Sequence, residues 1–241
     1  MRHPKTSYEK VGYERVASIA RWFSIPTVCV LCHHSHPHSM AICEPCAQLF
    51  PILENPCQYC SQPLPNNDFL ICGECLGKKP AFDRVMTGYR FEEPLRTLLH
   101  EFKYKNGLHL RPALVELMMQ AFDSQAALAD CVMPIPLHSK RIQQRGFNQA
   151  AELAKRLALK LNIPYDARIC KKMTNTSPQV GLSAEERRKN LRHSFSAKPS
   201  SYEYVLLIDD LITTGSTANE MAKVLKKQGV QRVDLWCCAR A

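Results

Sequence analysis

Val205-Leu206-Leu207-Ile208-Asp209-Asp210-Leu211-Ile212-Thr213-Thr214-Gly215-Ser216-Thr217 is the stretch on which the fold turns. Its four leading apolar residues predict a buried strand. Two carboxylates stand at that strand's carboxyl end, where open α/β sheets place their ligands. A Thr/Gly/Ser loop then runs into a helix, with Thr217 and Glu220 at capping-box spacing. Backbone N–H groups, hydroxyls and the positive end of a helix together suit a phosphate. Adjacent carboxylates accept hydrogen bonds from vicinal ribose hydroxyls. The pattern therefore describes a ribose 5-phosphate site. An ordinary capped helix after a strand explains the hydroxyls but leaves two uncompensated aspartates without a reason.

Working outward, the pattern from Pro80 onward is α/β. Asp83 to Phe91 reads as a strand, and Pro94 opens a helix with Leu95, Leu98, Leu99 and Phe102 on one face. A second helix follows Pro112, burying Leu114, Leu117, Met118, Ala121 and Phe122. Cys131 to Pro136 is a short apolar strand, and Ala150 to Leu161 repeats at helical spacing until Asn162 and Pro164. Segments 204–208 and 232–238 flank the helix after Gly215, a βαβ unit whose strands are parallel.

Two further segments carry charge chemistry. Pro134-Ile135-Pro136-Leu137-His138 turns at the sheet edge, and Lys140, Arg141 and Arg145 follow as cations, with Asn148 and Gln149 as amide donors. Arginine pairs bidentately with phosphate oxygens, so this group suits a pyrophosphate. A lone His138 is more often structural than catalytic, and no residue is assigned a catalytic role. Asn175 to Leu191 forms a polar loop running into a charged helix, with Ser183 and Glu186 at capping-box spacing.

Eight of the twelve cysteines form four Cys-x-x-Cys pairs, Cys29/Cys32, Cys43/Cys46, Cys57/Cys60 and Cys72/Cys75. The first two pairs are separated by ten residues and the last two by eleven, an internal repeat. This spacing suits two tetrahedral thiolate sites for structural zinc, standing in for a hydrophobic core. Sequential pairing is the simplest assignment, and a cross-braced one fits the spacing as well. His33, His34, His36 and His38 read as loop residues, while Cys131, Cys170, Cys237 and Cys238 read as buried small hydrophobes. Reduced thiolates imply the cytoplasm. No stretch reaches the roughly 18 apolar residues a membrane span needs, and Met1–Val28 lacks the apolar core of a secretory signal. Residues 8–24 read as a short basic amphipathic helix. Three parts follow: a basic segment 1–28, a zinc module 29–79 and an α/β domain 80–241.

Net charge is +10 but uneven. Segment 29–79 has two basic and four acidic residues, a net of −2, whereas His138–His193 has thirteen Lys/Arg against four Asp/Glu, a net of +9. A local excess of this kind suits a polyanion, either a phosphorylated small molecule or nucleic acid.

The segment Val205–Thr217 resembles the PRPP-binding motif of type I phosphoribosyltransferases. The resemblance implies a parallel sheet with flanking helices, with Asp209 and Asp210 on the ribose hydroxyls, directly or through magnesium. It places the 5-phosphate on Thr213, Thr214, Gly215, Ser216 and Thr217. Thr213 stands where oxopurine-salvage members carry an aspartate, which argues against 6-oxopurine salvage. Taken with Pro-x-Pro-x-His, Arg145-Gly146-Phe147-Asn148-Gln149, the run Gln179…Arg187…Asn190 and Phe102-Lys103-Tyr104, the whole resembles the ComF family from Cys29 to Ala241. That family implies a competence role: handling imported single-stranded DNA, with PRPP and proteins of the uptake machinery as partners. Lys103, His138, Lys140, Arg141, Arg145, Asn148, Gln149, Lys172, Gln179, Arg187 and Asn190 are the implied phosphate, pyrophosphate or DNA contacts. Lys172 departs from the arginine expected there, which keeps the charge without the bidentate fork. A working phosphoribosyltransferase of nucleotide salvage, acceptor base unspecified, is the alternative.

Overall fold

The computed structural model describes residues 26–37, 40–122, 126, 128–173 and 194–241. The chain divides into two compact units, Met1–Gln48 and Leu49–Ala241, so the first cysteine ribbon lies in one and the second in the other. The expected helix over residues 8–24 and the capping pair Ser183/Glu186 lie outside the described residues.

The two ribbons repeat one local design. In the first, β1 (Thr27–Val28) pairs antiparallel with β2 (Ser35–His36), and His33 sits at positive φ just after Cys32. In the second, Ser61 takes the same left-handed conformation just after Cys60, at φ 55°. Each ribbon then places its third cysteine at the N-cap of one short helix turn, α1 (Glu44–Ala47) and α2 (Gly73–Gly77), whose interior holds the fourth. His36 is not the loop residue expected, because it is buried on β2.

The second unit is built on one parallel sheet in the order β3–β9–β8–β5. Its strands are β3 (Arg84–Met86), β4 (Tyr89–Arg90), β5 (Cys131–Pro134), β8 (Tyr204–Ile212) and β9 (Arg232–Arg240). The expected single strand over 83–91 is broken. β3 and β4 both pair with β9, and Gly88 lies between them, where an added Cβ would stand 2.7 Å from the Ala121 side chain. Helices α3 (Leu95–Tyr104), α4 (Arg111–Gln120), α5 (Ser139–Arg145) and α6 (Gln149–Leu161) connect the strands, with α6 against β5 and β8. Leu95, Leu98, Leu99 and Phe102 are buried as the periodicity predicts. Helix α7 (Ser216–Lys227) covers Val205, Leu207, Val233 and Leu235 with Met221, Ala222 and Leu225. The alternate residue, Trp236, packs on Phe122 with ring centres 5.6 Å apart. Over Val205–Ile208, all fully buried, both faces of β8 are apolar, as a covered parallel strand requires.

The remaining two strands, β6 (Cys170–Lys172) and β7 (Phe195–Ala197), pair antiparallel on either side of residues 174–193. At the amino end of the sheet the buried Asp234 accepts from Arg84, Arg232 and the Tyr204 hydroxyl, each at 2.8 Å, so its charge is fully compensated. Cys131, Cys170, Cys237 and Cys238 are buried, as expected. Among the described residues no helix is long and apolar enough to cross a membrane.

Candidate phosphoribosyl site and cysteine ribbons

β8 runs farther than its sequence suggests. Leu211 and Ile212 still pair with Ala239 and Arg240 of β9, so Asp209 and Asp210 lie inside the strand near its carboxyl end. Their carboxyl groups are close enough to interact with each other and with Lys103. Asp210 is buried and meets the Lys103 ammonium at 2.5 Å, from the last turn of α3. Burial opposes the Lys103 charge, but Asp210 and then Asp209 more than offset this and hold its pKa above the usual value.

Asp209 has no such partner. Its Oδ1 accepts only from the Asp210 amide, at 2.9 Å, among the described contacts. Burial, and then the Asp210 charge, raise its carboxyl well above the ordinary range, against the opposing pull of Lys103. Lys172 on β6 is within electrostatic reach of Asp209. Burial and the Arg141 guanidinium depress its ammonium to about 8, while Asp209 pulls the other way.

After Ile212 the chain turns through exposed Thr213 and Thr214 to Gly215, whose φ of +69° favours glycine. An added Cβ at Gly215 would also lie 3.3 Å from the Phe82 ring. Gly215 is the N-cap of α7, so Thr217 sits within the helix and the expected Thr217/Glu220 capping box does not form. Glu220 instead bonds Lys223, while Thr214 Oγ1 contacts the Ser216 hydroxyl at 2.8 Å and accepts weakly from its amide. A depression of about 40 Å³ opens here, bounded by Asp209 and by Thr213 through Thr217.

The Arg-Gly-Phe-Asn-Gln segment faces the same sheet edge. The His138 Nδ1 caps α5 by accepting from the Lys140 amide at 3.3 Å, and Lys140 is exposed. Arg145 stacks on Tyr104 at 4.9 Å and reaches its hydroxyl. Asn148 donates to the Ile135 carbonyl at 3.0 Å, and the buried Gln149 donates to the Lys103 carbonyl at 3.3 Å. These amides anchor the loop to the strand end and to the helix that carries Lys103. Gln179, Arg187 and Asn190 lie outside the described residues.

Sequence reasoning missed Arg240. Its guanidinium donates to the carbonyls of Thr213 and Ile212 at the mouth of the loop, and to Gln62 of the second ribbon. A strand-end arginine 27 residues from Thr213 and 178 from Gln62 carries no local signal.

The cysteines settle the pairing as sequential: Cys29, Cys32, Cys43 and Cys46 in one cluster, and Cys57, Cys60, Cys72 and Cys75 in the other. The Sγ atoms of Cys32 and Cys43 lie 3.7 Å apart and those of Cys60 and Cys72 3.6 Å, near the edge of a tetrahedron built on Zn–S bonds of about 2.3 Å. Backbone amides of Cys43 and Cys72 point at Cys29 and Cys57 Sγ, as around a thiolate. Both sets suit zinc in closed, structural sites.

The double zinc ribbon domain family matches residues 23–76, and the phosphoribosyl transferase domain family matches 142–241. Competence protein F of Haemophilus influenzae is 38% identical over 179 residues, covering 70% of this chain and 78% of its own. The chain belongs to the ComF family. DNA utilization protein YhgH of Salmonella typhi is 31% identical over 90% of this chain and 98% of its own. Competence protein ComFC of Bacillus subtilis is 25% identical over 78% and 79%. A crystal structure of orotate phosphoribosyltransferase from Aeropyrum pernix aligns with 58% of this chain and 62% of its own, at 16% identity and a TM-score of 0.31.

Proposed function

We propose that this ComF-family chain is a DNA-uptake factor that handles imported single-stranded DNA in the cytoplasm, and that its α/β unit binds PRPP. The observation that carries the ligand is an interacting carboxylate pair of which only Asp210 is held by a lysine, next to a hydroxyl-lined loop at a helix start. Asp209, the carboxylate without a cation partner among the described contacts, is poised for ribose hydroxyls or for magnesium carried with PRPP. Magnesium would offset the charge of the pyrophosphate. Thr213 to Thr217 would take the 5-phosphate through N–H groups and hydroxyls. Arg141, Arg145 and Lys172, with Lys140 at the rim, supply cations for pyrophosphate or for DNA phosphates, joined by Arg187 on the sequence pattern. In this reading residues 29–79 are the zinc module and 80–241 the ligand-binding domain, with proteins of the uptake machinery as further partners.

An active transferase of nucleotide salvage is the second reading, favoured by the complete Asp209/Asp210 and hydroxyl-loop set. The protein would then hold PRPP and acceptor in line and keep water from the ribosyl carbon.

Separate and joint titrations of PRPP and single-stranded DNA test the proposal. Replacing Asp209 and Asp210 by alanine should abolish the thermal stabilisation that PRPP with magnesium gives. Binding to the folded state alone supplies about 2.7 kcal/mol at a hundredfold excess over the dissociation constant. Replacing Lys140, Arg141, Arg187 and Arg188 by alanine should weaken DNA binding and flatten a log–log salt slope of about −0.7 per neutralised phosphate. Unchanged PRPP response in the aspartate variant would remove the site, and unchanged DNA affinity and slope would assign the basic segment to another partner.

A further inference from the structure

The phosphate loop is not seated on the hydrophobic core alone. Behind it, between α7 and the second ribbon, lies a cavity of about 450 Å³, with Cys60, Cys75 and Lys79 on one wall and Thr214, Ser216 and Asn219 on the other. The loop and the ribbon are joined across this gap by a few directed contacts. Arg240, the last residue of β9, donates one nitrogen to the Thr213 and Ile212 carbonyls and the other to the Gln62 side chain. Gln62 is itself fixed by the metal-binding turn, since its carbonyl accepts from the Cys57 amide at 2.8 Å. The adjoining Ser61 is buried and donates to the Val85 carbonyl of β3 at 2.9 Å. On the far side, where the chain leaves the ribbon, Ala81 donates to Asn219 of α7 at 2.7 Å and the Phe82 ring lies against Gly215.

We propose that the second zinc ribbon is a positioning element of the phosphate loop, acting through Gln62 and Arg240. A trans peptide points its C=O and its N–H in opposite directions. Holding the Thr213 carbonyl on Arg240 therefore turns the Thr214 N–H away from Arg240. The orientation of that donor is set by a guanidinium whose own orientation is set by a metal-folded turn. Loss of metal from the Cys57, Cys60, Cys72 and Cys75 set releases Gln62, then Arg240, then the loop. The first ribbon belongs to the other compact unit and serves as the internal comparison. The link to ligand affinity rests on the phosphoribosyl reading above, whereas the link from ribbon to loop does not.

The experiment is amide hydrogen exchange across residues 211–217 in the full-length, ligand-free protein, with zinc content measured on each sample. Gln62→Leu removes the acceptor and should lower protection of the loop about tenfold while zinc content holds. Gln62→Glu keeps an oxygen for Arg240 and should retain protection, which a general packing defect would not allow. Cys72→Ser should lose one zinc and lower loop protection to the same degree, and Cys32→Ser should lose one zinc and leave the loop alone. Equal protection in wild type and Gln62→Leu, or equal loosening in Cys32→Ser and Cys72→Ser, overturns the proposal. PRPP-magnesium affinity is then measured on the same set. A tenfold loss confined to Gln62→Leu and Cys72→Ser extends the tether to ligand binding. If wild type binds no PRPP, the phosphoribosyl reading falls and the exchange result still decides the tether.

Discussion

Removing the Lys103 ammonium isolates the electrostatics of the site. Lys103 Nζ and Asp210 Oδ2 are 2.5 Å apart, with side chains 21% and 6% exposed. Lys103→Met keeps most of the apolar stem, and the Lys103 carbonyl that receives Gln149 is untouched. What is lost is the cation, leaving Asp210 buried beside Asp209 with no counter-charge. Breaking a buried pair from one side costs about 3–5 kcal/mol. Because Lys103 is about one-fifth exposed, the lower end applies, about 3 kcal/mol, or roughly 6–12 °C in melting temperature for a unit the size of Leu49–Ala241. Asp210→Asn in the Lys103→Met background should recover most of this, since the remaining group is neutral and still hydrogen-bonds. Urea unfolding of wild type, both single variants and the double variant gives the coupling energy directly. Magnesium alone should stabilise Lys103→Met more than wild type, because two uncompensated carboxylates bind a divalent cation better than one. A loss under about 1 kcal/mol, the range of an exposed pair, would refute the reasoning.

Asp209→Asn should stabilise the ligand-free protein at neutral pH while removing the response to PRPP. Its folded pKa is raised, so its contribution is present at acid pH and is lost as pH climbs through the folded value; the asparagine variant should flatten that decline, and an unchanged pH profile would contradict it. Lys172 titrates at about 8, so anion affinity should fall from pH 7 to 9 in wild type and stay level in Lys172→Arg, measured by calorimetry. Purified protein should carry about two zinc per chain by elemental analysis, and chelation should unfold the ribbons; a metal-free module that stays folded would refute it.

How far the sequence could be read depended on the range of the interactions. The parallel βαβ unit was legible because four consecutive apolar residues, Val205 to Ile208, admit little besides a covered strand. The buried faces of α3 and α6 followed from 3.6-residue periodicity. The end of β8 was not legible. Asp209 and Asp210 interrupt the apolar run, but β9 continues to Arg240 and its backbone groups keep β8 extended through Ile212. The missing capping box has a local cause instead: Thr217 and Glu220 have the right spacing, yet Gly215 at positive φ starts the helix one residue after itself. Cysteine spacing gave the zinc sites but left the pairing open, because only the three-dimensional path says which turns face each other. Lys103 was found through resemblance, while its partner and Arg240's tether were visible only in space.

The charges around β8 constrain what can bind there. Asp210 already has Lys103, and bringing a cation to Asp209 alone leaves Lys172 and Arg141 disfavouring each other, a repulsion that adds to burial in depressing the Lys172 ammonium. Bringing only an anion eases that repulsion but sets a like charge near Asp209. Neither a simple cation nor a simple phosphate relieves both. A ligand with hydroxyls or a metal at its centre and phosphate groups at its ends would do so: the centre against Asp209, one end on the Thr213–Thr217 loop, the other toward Arg141 and Lys172. Lys155 of the basic segment is neutralised elsewhere, by Glu152. The segment's thirteen lysines and arginines therefore overstate the field at the site, and the strength of binding there should follow the few desolvated groups rather than their count.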